Sequence, residues 1–533
     1  MPKVHARIVA EATIFAAAIA WLYVAAQHQR LQEALPSLHL LLGTMAALLI
    51  AGTQATLNSD RYLSALLVGR TRPEDDTGIL VGVVLLPLVL CSRLLLGFAT
   101  TRTIDDYTWA HLCYVIILAL GAVVRILMRS PWSATSMVPE SLVVAAVYWL
   151  FLSASGLNVW HIEFLLLSSN LFVHFGLLAL PRSFTYGEAL VLAQGLSLIV
   201  VDATLYTLQT MGWTSGDIPA HDDTTVLIQL VLISGVAMAI LCTPLFQRYG
   251  TPSPKKLQAP LPLEPTAVFV GLVACVGGIF VVWSSVLLGT PLWWWLLAAI
   301  TTPSALKVIV TWLLLLIVVV PLCPWIAHTL GLRQIVARKL YHFLAVALFL
   351  PASFLNMDLL RLSYAIAIGL FLVVECIRAL AVPPLGTPIA KFVTAYLDHR
   401  DDGRVILSHT YLLLGCALPA WLGAPSVLLA NAGVLALGIG DAMGAVVGST
   451  IGRRKVCGKK TLEGSLAVFV SMVGFAWTAV QSHDDIATPG FLAFLWSTWL
   501  TTALEAVTCQ IDNLVLPLFY LAVCSITQAY AYP

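Results

Sequence analysis

Long apolar runs, broken at intervals by a few polar or turn-forming residues, dominate the chain from end to end. Runs of roughly 17–25 residues are long enough to cross a hydrocarbon layer as helices. They fall at residues 8–26, 36–54, 78–99, 108–128, 139–156, 160–180, 187–209, 224–245, 266–288 and 304–327. They resume at 338–355, 358–379, 405–424, 427–449, 463–481, 488–505 and 512–531. A shorter run, Leu292 to Ile300, is led by Trp293, Trp294 and Trp295 and reads as an interfacial anchor rather than a span. The expected fold is all-α, a polytopic integral membrane protein with about 15 transmembrane helices, two more or fewer. The basic stretch Met1 to Arg7 precedes the first run. A cleaved signal peptide has that form, but the many runs behind it favour an uncleaved first helix.

Composition agrees. Of 533 residues, 59% are hydrophobic and 10% charged, where soluble domains carry roughly 25% charged residues. Too little polar surface remains to cover a water-soluble globule, so lipid is the solvent for much of the chain. The formal net charge of +1 argues against nucleic acid as a partner. Ten cysteines occur singly, with no CxxC pair, so neither a zinc site nor a redox motif is suggested.

Two regions differ in character. Residues 1–330 form a multi-span region whose charges gather in loops such as Arg70 to Asp76 and Arg248 to Lys256. Glu140, His161, Glu188 and Asp202 lie in or near its spans, where helix-end or bundle-interior positions explain them as well as function does. In residues 331–533, charged and small residues interrupt the spans. Polar groups inside a membrane are costly, so this is the expected catalytic region. The loop Gly452 to Lys460 carries five Lys or Arg residues, at 453, 454, 455, 459 and 460, and is cytoplasmic by the positive-inside rule. Counting spans outward from it gives lumenal turns without Lys or Arg. It also brings Arg338, Lys339, His342, Glu375, Arg378, His409, Asp441, Glu505 and Asp512 to the cytoplasmic ends of their helices. Such one-sided clustering predicts a single cytoplasm-facing site.

The strongest segment is Gly438-Ile-Gly440-Asp441-Ala-Met-Gly444-Ala-Val-Val-Gly448. A carboxylate deep in an apolar helix needs a partner. Mg²⁺ is a good one, since it is commonly held by one or two carboxylates plus substrate phosphates. Gly440 and Gly444 would let a ligand or a second backbone approach, although glycines four apart also serve plain helix packing. The segment Gly458-Lys459-Lys460-Thr461-Leu462-Glu463-Gly464-Ser465 sets basic residues before a helix start. Free N–H groups there, Thr461 as N-cap and two lysines would suit phosphate. It is not a P-loop, because five residues separate Gly452 from Gly458 and no strand precedes it. A basic loop that merely sets topology is the alternative. Glu505 and Asp512 are two turns apart on one face and would share a metal or supply a base, unless they simply flank a polar turn. Arg338 and His342 share a face beside Lys339, and Glu375 with Arg378 forms either a phosphate contact or a structural ion pair. The run Asp398 to Arg404 reads as a solvated loop. His409 opens a helix as a possible base.

These residues resemble the dolichol kinase family. The resemblance rests on Leu397 to Arg404, Ile406 to Gly415, Gly438 to Ala442, Gly458 to Gly464 and Gln510 to Pro517. Arg338 to His342 with Glu375 to Arg378 is similar to the wider polyprenol kinases. The likeness covers residues 330–533; the N-terminal part matches in length and hydrophobicity. It implies CTP-dependent phosphorylation of dolichol to dolichyl phosphate at the endoplasmic reticulum membrane, supplying the lipid carrier for protein glycosylation. It also implies that the Gly458–Gly464 loop is the nucleotide-binding region. On this reading Asp441 binds Mg²⁺, with Asp512 or Glu505, and Lys459, Lys460 and Thr461 hold the triphosphate. Arg338 and Lys339 stabilise the transferring group, and Asp441, His342 and His409 are the candidate bases. A cytidylyltransferase acting on a lipid phosphate and a multi-span transporter are the rival readings.

Overall fold

The computed structural model describes residues 2–63, 70–72, 74, 76–127, 142, 159–213, 221–251, 254, 258–394, 397, 403–423, 426–458, 460–481 and 491–532. Among these the protein is helical throughout, with one isolated β-bridge, between Lys455 and Thr461. Twelve helices are long and apolar enough to cross a membrane, which makes this an all-α polytopic membrane protein. The expected span at 139–156 lies, save Leu142, outside the described residues.

In chain order the first region contributes α1 (Pro2–His28), α2 (Leu38–Leu57), α3 (Ile79–Thr101), α4 (Asp106–Leu127), α5 (Val159–Ala179), α6 (Tyr186–Thr210), α7 (Asp223–Leu241), α8 (Leu263–Leu288) and α9 (Pro303–Thr329). Leu292–Ile300 is a separate nine-residue helix, about 13 Å long and too short to span. The second region contributes α10 (Gln334–Leu355), α11 (Met357–Ala379), α12 (Ser408–Trp421), α13 (Ala442–Thr450), α14 (Leu462–Gln481), α15 (Phe491–Val507) and α16 (Asp512–Ala531).

The two regions share one core. α3 and α16 pack against each other at its centre, and 89% of the most apolar stretch of each is buried. By contrast α8 and α9 bury only 6% and 11% of theirs and present leucine, valine and isoleucine outward, as lipid-facing helices do.

Three close approaches of backbone fix how the helices meet. A Cβ on Gly187 would fall 1.8 Å from the Gly78 carbonyl oxygen, so the starts of α3 and α6 touch backbone to backbone. A Cβ on Gly433 would fall 2.0 Å from the Gly415 carbonyl oxygen, and one on Gly415 2.0 Å from that of Asn513. α12, the segment before α13 and α16 are thereby drawn together.

The expected continuous span at 427–449 is a broken one. A single turn, Val427–Ala430, leads to a π-helical stretch, Val434–Asp441, which continues as α13. The wider π turn is a common feature of functional sites, and here it ends at Asp441.

Candidate functional site

α10 carries Arg338, Lys339 and His342 on adjoining turns, pointing towards the end of the π-helical stretch. The Lys339 ammonium pairs directly with the Asp441 carboxylate, and His342 Nε2 lies 3.6 Å from Asp441 Oδ2. Asp441 and His342 are only 8% and 7% exposed. A carboxylate is tolerated there because a cation sits beside it.

The basic loop folds as a tight reversal. Val456 N donates to the Lys460 carbonyl (3.0 Å), Leu462 N donates to the Arg454 carbonyl (2.8 Å), and Gly458 takes a positive φ of 54° at the bend. Thr461 Oγ1 accepts from Gly464 N at 3.2 Å, the N-cap bond expected of it. Glu463 turns back to accept from the backbone N–H groups of Arg453 (3.0 Å) and Arg454 (3.2 Å), tying the loop to the start of α14. Lys460 reaches inward, pairing with Glu505 and lying 3.4 Å from Asp512 Oδ2. Burial opposes its charge, but Asp512, Glu505 and Asp441 outweigh that and hold its pKa above the ordinary lysine range.

Of the groups named so far, Arg338, Lys339, His342, Asp441 and Asp512 border a cleft of about 70 Å³, together with Arg72; Lys460, Glu505 and the basic loop do not line it. Arg72 comes from the first region, and its spacing from the rest of the site gave no signal for it. Its guanidinium is held by Glu188 (2.5 Å) and by the Ser183 carbonyl (3.2 Å). Glu188 also closes a capping box with Thr185 and accepts from Ile511 N at 3.0 Å, next to Asp512. Tyr411 lines the cleft too, is 3% exposed, and its hydroxyl has no hydrogen-bond partner among the described residues.

Other expected residues fall elsewhere. Gly440 and Gly444 face α14, where an added Cβ would meet Met472 Sδ at 2.7 Å and Val468 Cγ2 at 2.6 Å. They act in helix packing, the alternative that their four-residue spacing allowed. His409 is not on the cleft wall, although its neighbour Ser408 is. Glu375 and Arg378 form an ion pair (2.6 Å) that grips the chain entering α12. Arg378 donates to the Arg404 carbonyl (3.0 Å), and Glu375 accepts from Ile406 N (2.5 Å). Lys459 and residues 398–402 lie outside the described residues.

Among the described residues no three His, Cys, Asp or Glu side chains form a metal cage. Asp441, Glu505 and Asp512 are divided: the first pairs with Lys339, the other two converge on Lys460. The donor set still fits a hard divalent cation such as Mg²⁺. Asp441 and Asp512 line the same cleft from different elements, and two carboxylates suffice when phosphates complete the coordination.

A second cavity, of about 580 Å³ and lined by both apolar and charged side chains, lies at the other end of the bundle. Asp202 is fourteen residues beyond Glu188 on α6, about 21 Å along the axis. It accepts from Tyr107 (2.9 Å) and Gln229 (2.5 Å) and lies 2.9 Å from His221 Nε2. Arg361 of the second region lines this cavity as well, 3.3 Å from Asp222, so the one-sidedness expected of the second region's charged residues is not complete.

No family model and no solved structure matches the chain. Curated proteins do. Dolichol kinase EVAN of Arabidopsis thaliana is 40% identical over 208 residues, which is 37% of this chain and 37% of that protein. Dolichol kinase sec59 of Schizosaccharomyces pombe is 38% identical over 189 residues, 34% of this chain and 37% of that protein. Dolichol kinase of Homo sapiens is 35% identical over 199 residues, 35% and 37% respectively. The matched stretch spans little more than a third of the length of these relatives.

Proposed function

We propose that the chain is a member of the dolichol kinase family and transfers the γ-phosphoryl group of CTP to the hydroxyl of dolichol, giving dolichyl phosphate and CDP. The observation that carries this reading is the convergence of Arg72, Arg338 and Lys339 with Asp441 and Asp512 around one cleft at one end of an apolar helix bundle. The similarity to dolichol kinases of plants, animals and fungi supports it.

Phosphoryl transfer asks a protein mainly to hold the reactants in line and neutralise charge. Arg338, Lys339 and Arg72 on the cleft wall do the second, with Lys339 set beside Asp441 and Arg72 held in place by Glu188. The tied-down basic loop, with Lys460 and the start of α14, receives the remaining phosphates. A divalent cation, held by Asp441 and Asp512, would withdraw charge from the phosphate oxygens as the bond to CDP breaks. His342, 3.6 Å from Asp441, is the group we assign to accept the proton from the alcohol as its oxygen bonds to phosphorus. In a cell the reaction would run at the cytoplasmic face of the endoplasmic reticulum membrane, where the basic loop is expected.

The test is transfer of label from γ-labelled CTP to dolichol by the purified full-length protein, with ATP as comparison. Labelled dolichyl phosphate formed from CTP is the expected result. Transfer of the cytidylyl moiety with release of pyrophosphate would replace the kinase reading with a cytidylyltransferase.

A further inference from the structure

Beside the polar cleft runs a cavity of quite different lining. It holds about 230 Å³ and is walled by hydrocarbon from α5, α6, α7, α11 and α12, including Phe172, Phe175, Leu196, Val236 and Leu372. Phe175 and Ile240 on its rim are 42% and 38% exposed, so the groove opens sideways towards lipid. The cleft and the groove share two wall residues, Leu407 and Tyr411. A molecule with an apolar tail and a polar end would therefore lie across both without leaving the protein.

The junction carries the second observation. Tyr411 borders both spaces, is buried, and has a hydroxyl that no described residue bonds. A buried hydroxyl without a partner is unfavourable unless a ligand supplies one. By contrast the Thr243 hydroxyl, farther along the groove, bonds the Ala239 carbonyl at 3.3 Å.

We propose that the apolar groove holds the isoprene units of the acceptor nearest its hydroxyl, and that the Tyr411 hydroxyl hydrogen-bonds the acceptor oxygen at the mouth of the cleft. This rests on the kinase reading. The groove's volume is below that of ordinary small-molecule pockets, so it takes the head of the isoprenoid and leaves the rest in the bilayer. A charged nucleotide is excluded from it, because its charges would be unpaired there. α5, α6 and α7 in the wall come from residues 1–330, which gives that region a share in acceptor binding. Tyr411 is a positioning residue: it aims the alcohol oxygen and takes no part in proton transfer.

Gly176 lies in the groove wall and has open space where a Cβ would be, so Gly176→Trp fills the groove without a clash at its base. The full-length protein in lipid nanodiscs would be assayed with CTP and with prenols of short and long chain. Gly176→Trp is expected to raise KM about tenfold for prenols of several isoprene units, short and long alike, and to leave KM for CTP and for a prenol of a single isoprene unit unchanged. Gly176→Ala should match the wild type. Tyr411→Phe should lower kcat/KM about fivefold for every prenol, with KM for CTP unchanged. A photoreactive prenol should label Phe172 to Ala179 in the wild-type protein, in competition with dolichol. Equal effects of Gly176→Trp on all substrates, no effect on any, or labelling displaced equally by bulk phospholipid would each overturn the groove assignment. If the wild type phosphorylates long prenols while these results fail, only the groove falls. If it phosphorylates none, the kinase reading falls and the groove with it.

Discussion

The two ends of the bundle each bury an aspartate beside a histidine, and they solve the same problem differently. At Asp202 the carboxylate is surrounded by groups already committed to it: the Tyr107 hydroxyl, the Gln229 amide and His221. Among the described residues no lysine pairs with it, although Arg93 and Arg361 line the same cavity, and it belongs to a regular helix, α6. At Asp441 a π-helical stretch ends, a lysine is the direct partner, and Arg72 and Arg338 stand along the same wall. A satisfied buried carboxylate reads as structure. One paired with a lysine at the end of a π-helical stretch, on the wall of a cleft, reads as a place where something anionic and a divalent cation come and go. Burial alone does not separate the two, since Asp202 is 6% and Asp441 8% exposed.

The largest expected effect therefore follows Asp441→Asn. The amide keeps the shape but loses the charge that would hold a cation, so transfer from CTP should fall about 10³-fold. The protein should remain in the membrane fraction. Full activity of this variant would remove the distinction between the two ends. Arg72→Ala comes next. It deletes a cation on the cleft wall that is anchored by Glu188 and Ser183, and kcat/KM for CTP should drop about 10–100-fold, the range of one charge-assisted hydrogen bond. An unchanged kcat/KM would mean that Arg72 is only the clasp between the loop at 70–72 and α6.

Much of this cleft was legible in the sequence, and the reason is local. Arg338, Lys339 and His342 sit within two turns of one helix. Asp441 stands out because nothing around it in sequence explains a carboxylate, and Thr461 precedes a helix in the position of an N-cap. The all-α membrane architecture follows from run length alone. What the sequence hid is pairing over distance. Arg72 looks like one charge in a polar loop until Glu188, 116 residues on, is seen to hold it. Tyr411 looks like one more apolar helix residue. The glycines of 438–448 carry two meanings at one spacing, and only the side chains of α14 decide that Gly440 and Gly444 serve packing. The position of a charge at a helix end likewise does not reveal that Asp202 lies against His221.

A smaller effect is expected from the loop lysine. Asp512, Glu505 and Asp441 raise the pKa of Lys460 despite its burial. Its stabilising contribution is then fully present below the ordinary lysine value of 10.5 and is lost only as pH rises through the raised one. Lys460→Met should lower unfolding stability by about 1–3 kcal/mol, the cost of leaving charged partners unmatched. It should do so evenly between neutral and mildly alkaline pH, as thermal melts in detergent would record. A loss confined to the alkaline side would contradict the ion-pair assignment.

The smallest effect on activity should come from Asp202→Asn, and it is the sharpest control on the comparison. The asparagine oxygen can still accept from Tyr107 and Gln229, so only the interaction with His221 is weakened. Thermal stability should fall by about 1–3 kcal/mol, while transfer from CTP stays within about threefold of the wild type, a change of under 1 kcal/mol. The site lies about 21 Å along α6 from Glu188, too far to touch a phosphate in the cleft. If this variant instead lost transfer as completely as Asp441→Asn while remaining folded, the cavity at that end would have to be coupled to the reaction. The bundle would then have two functional ends instead of one, as expected of a transporter.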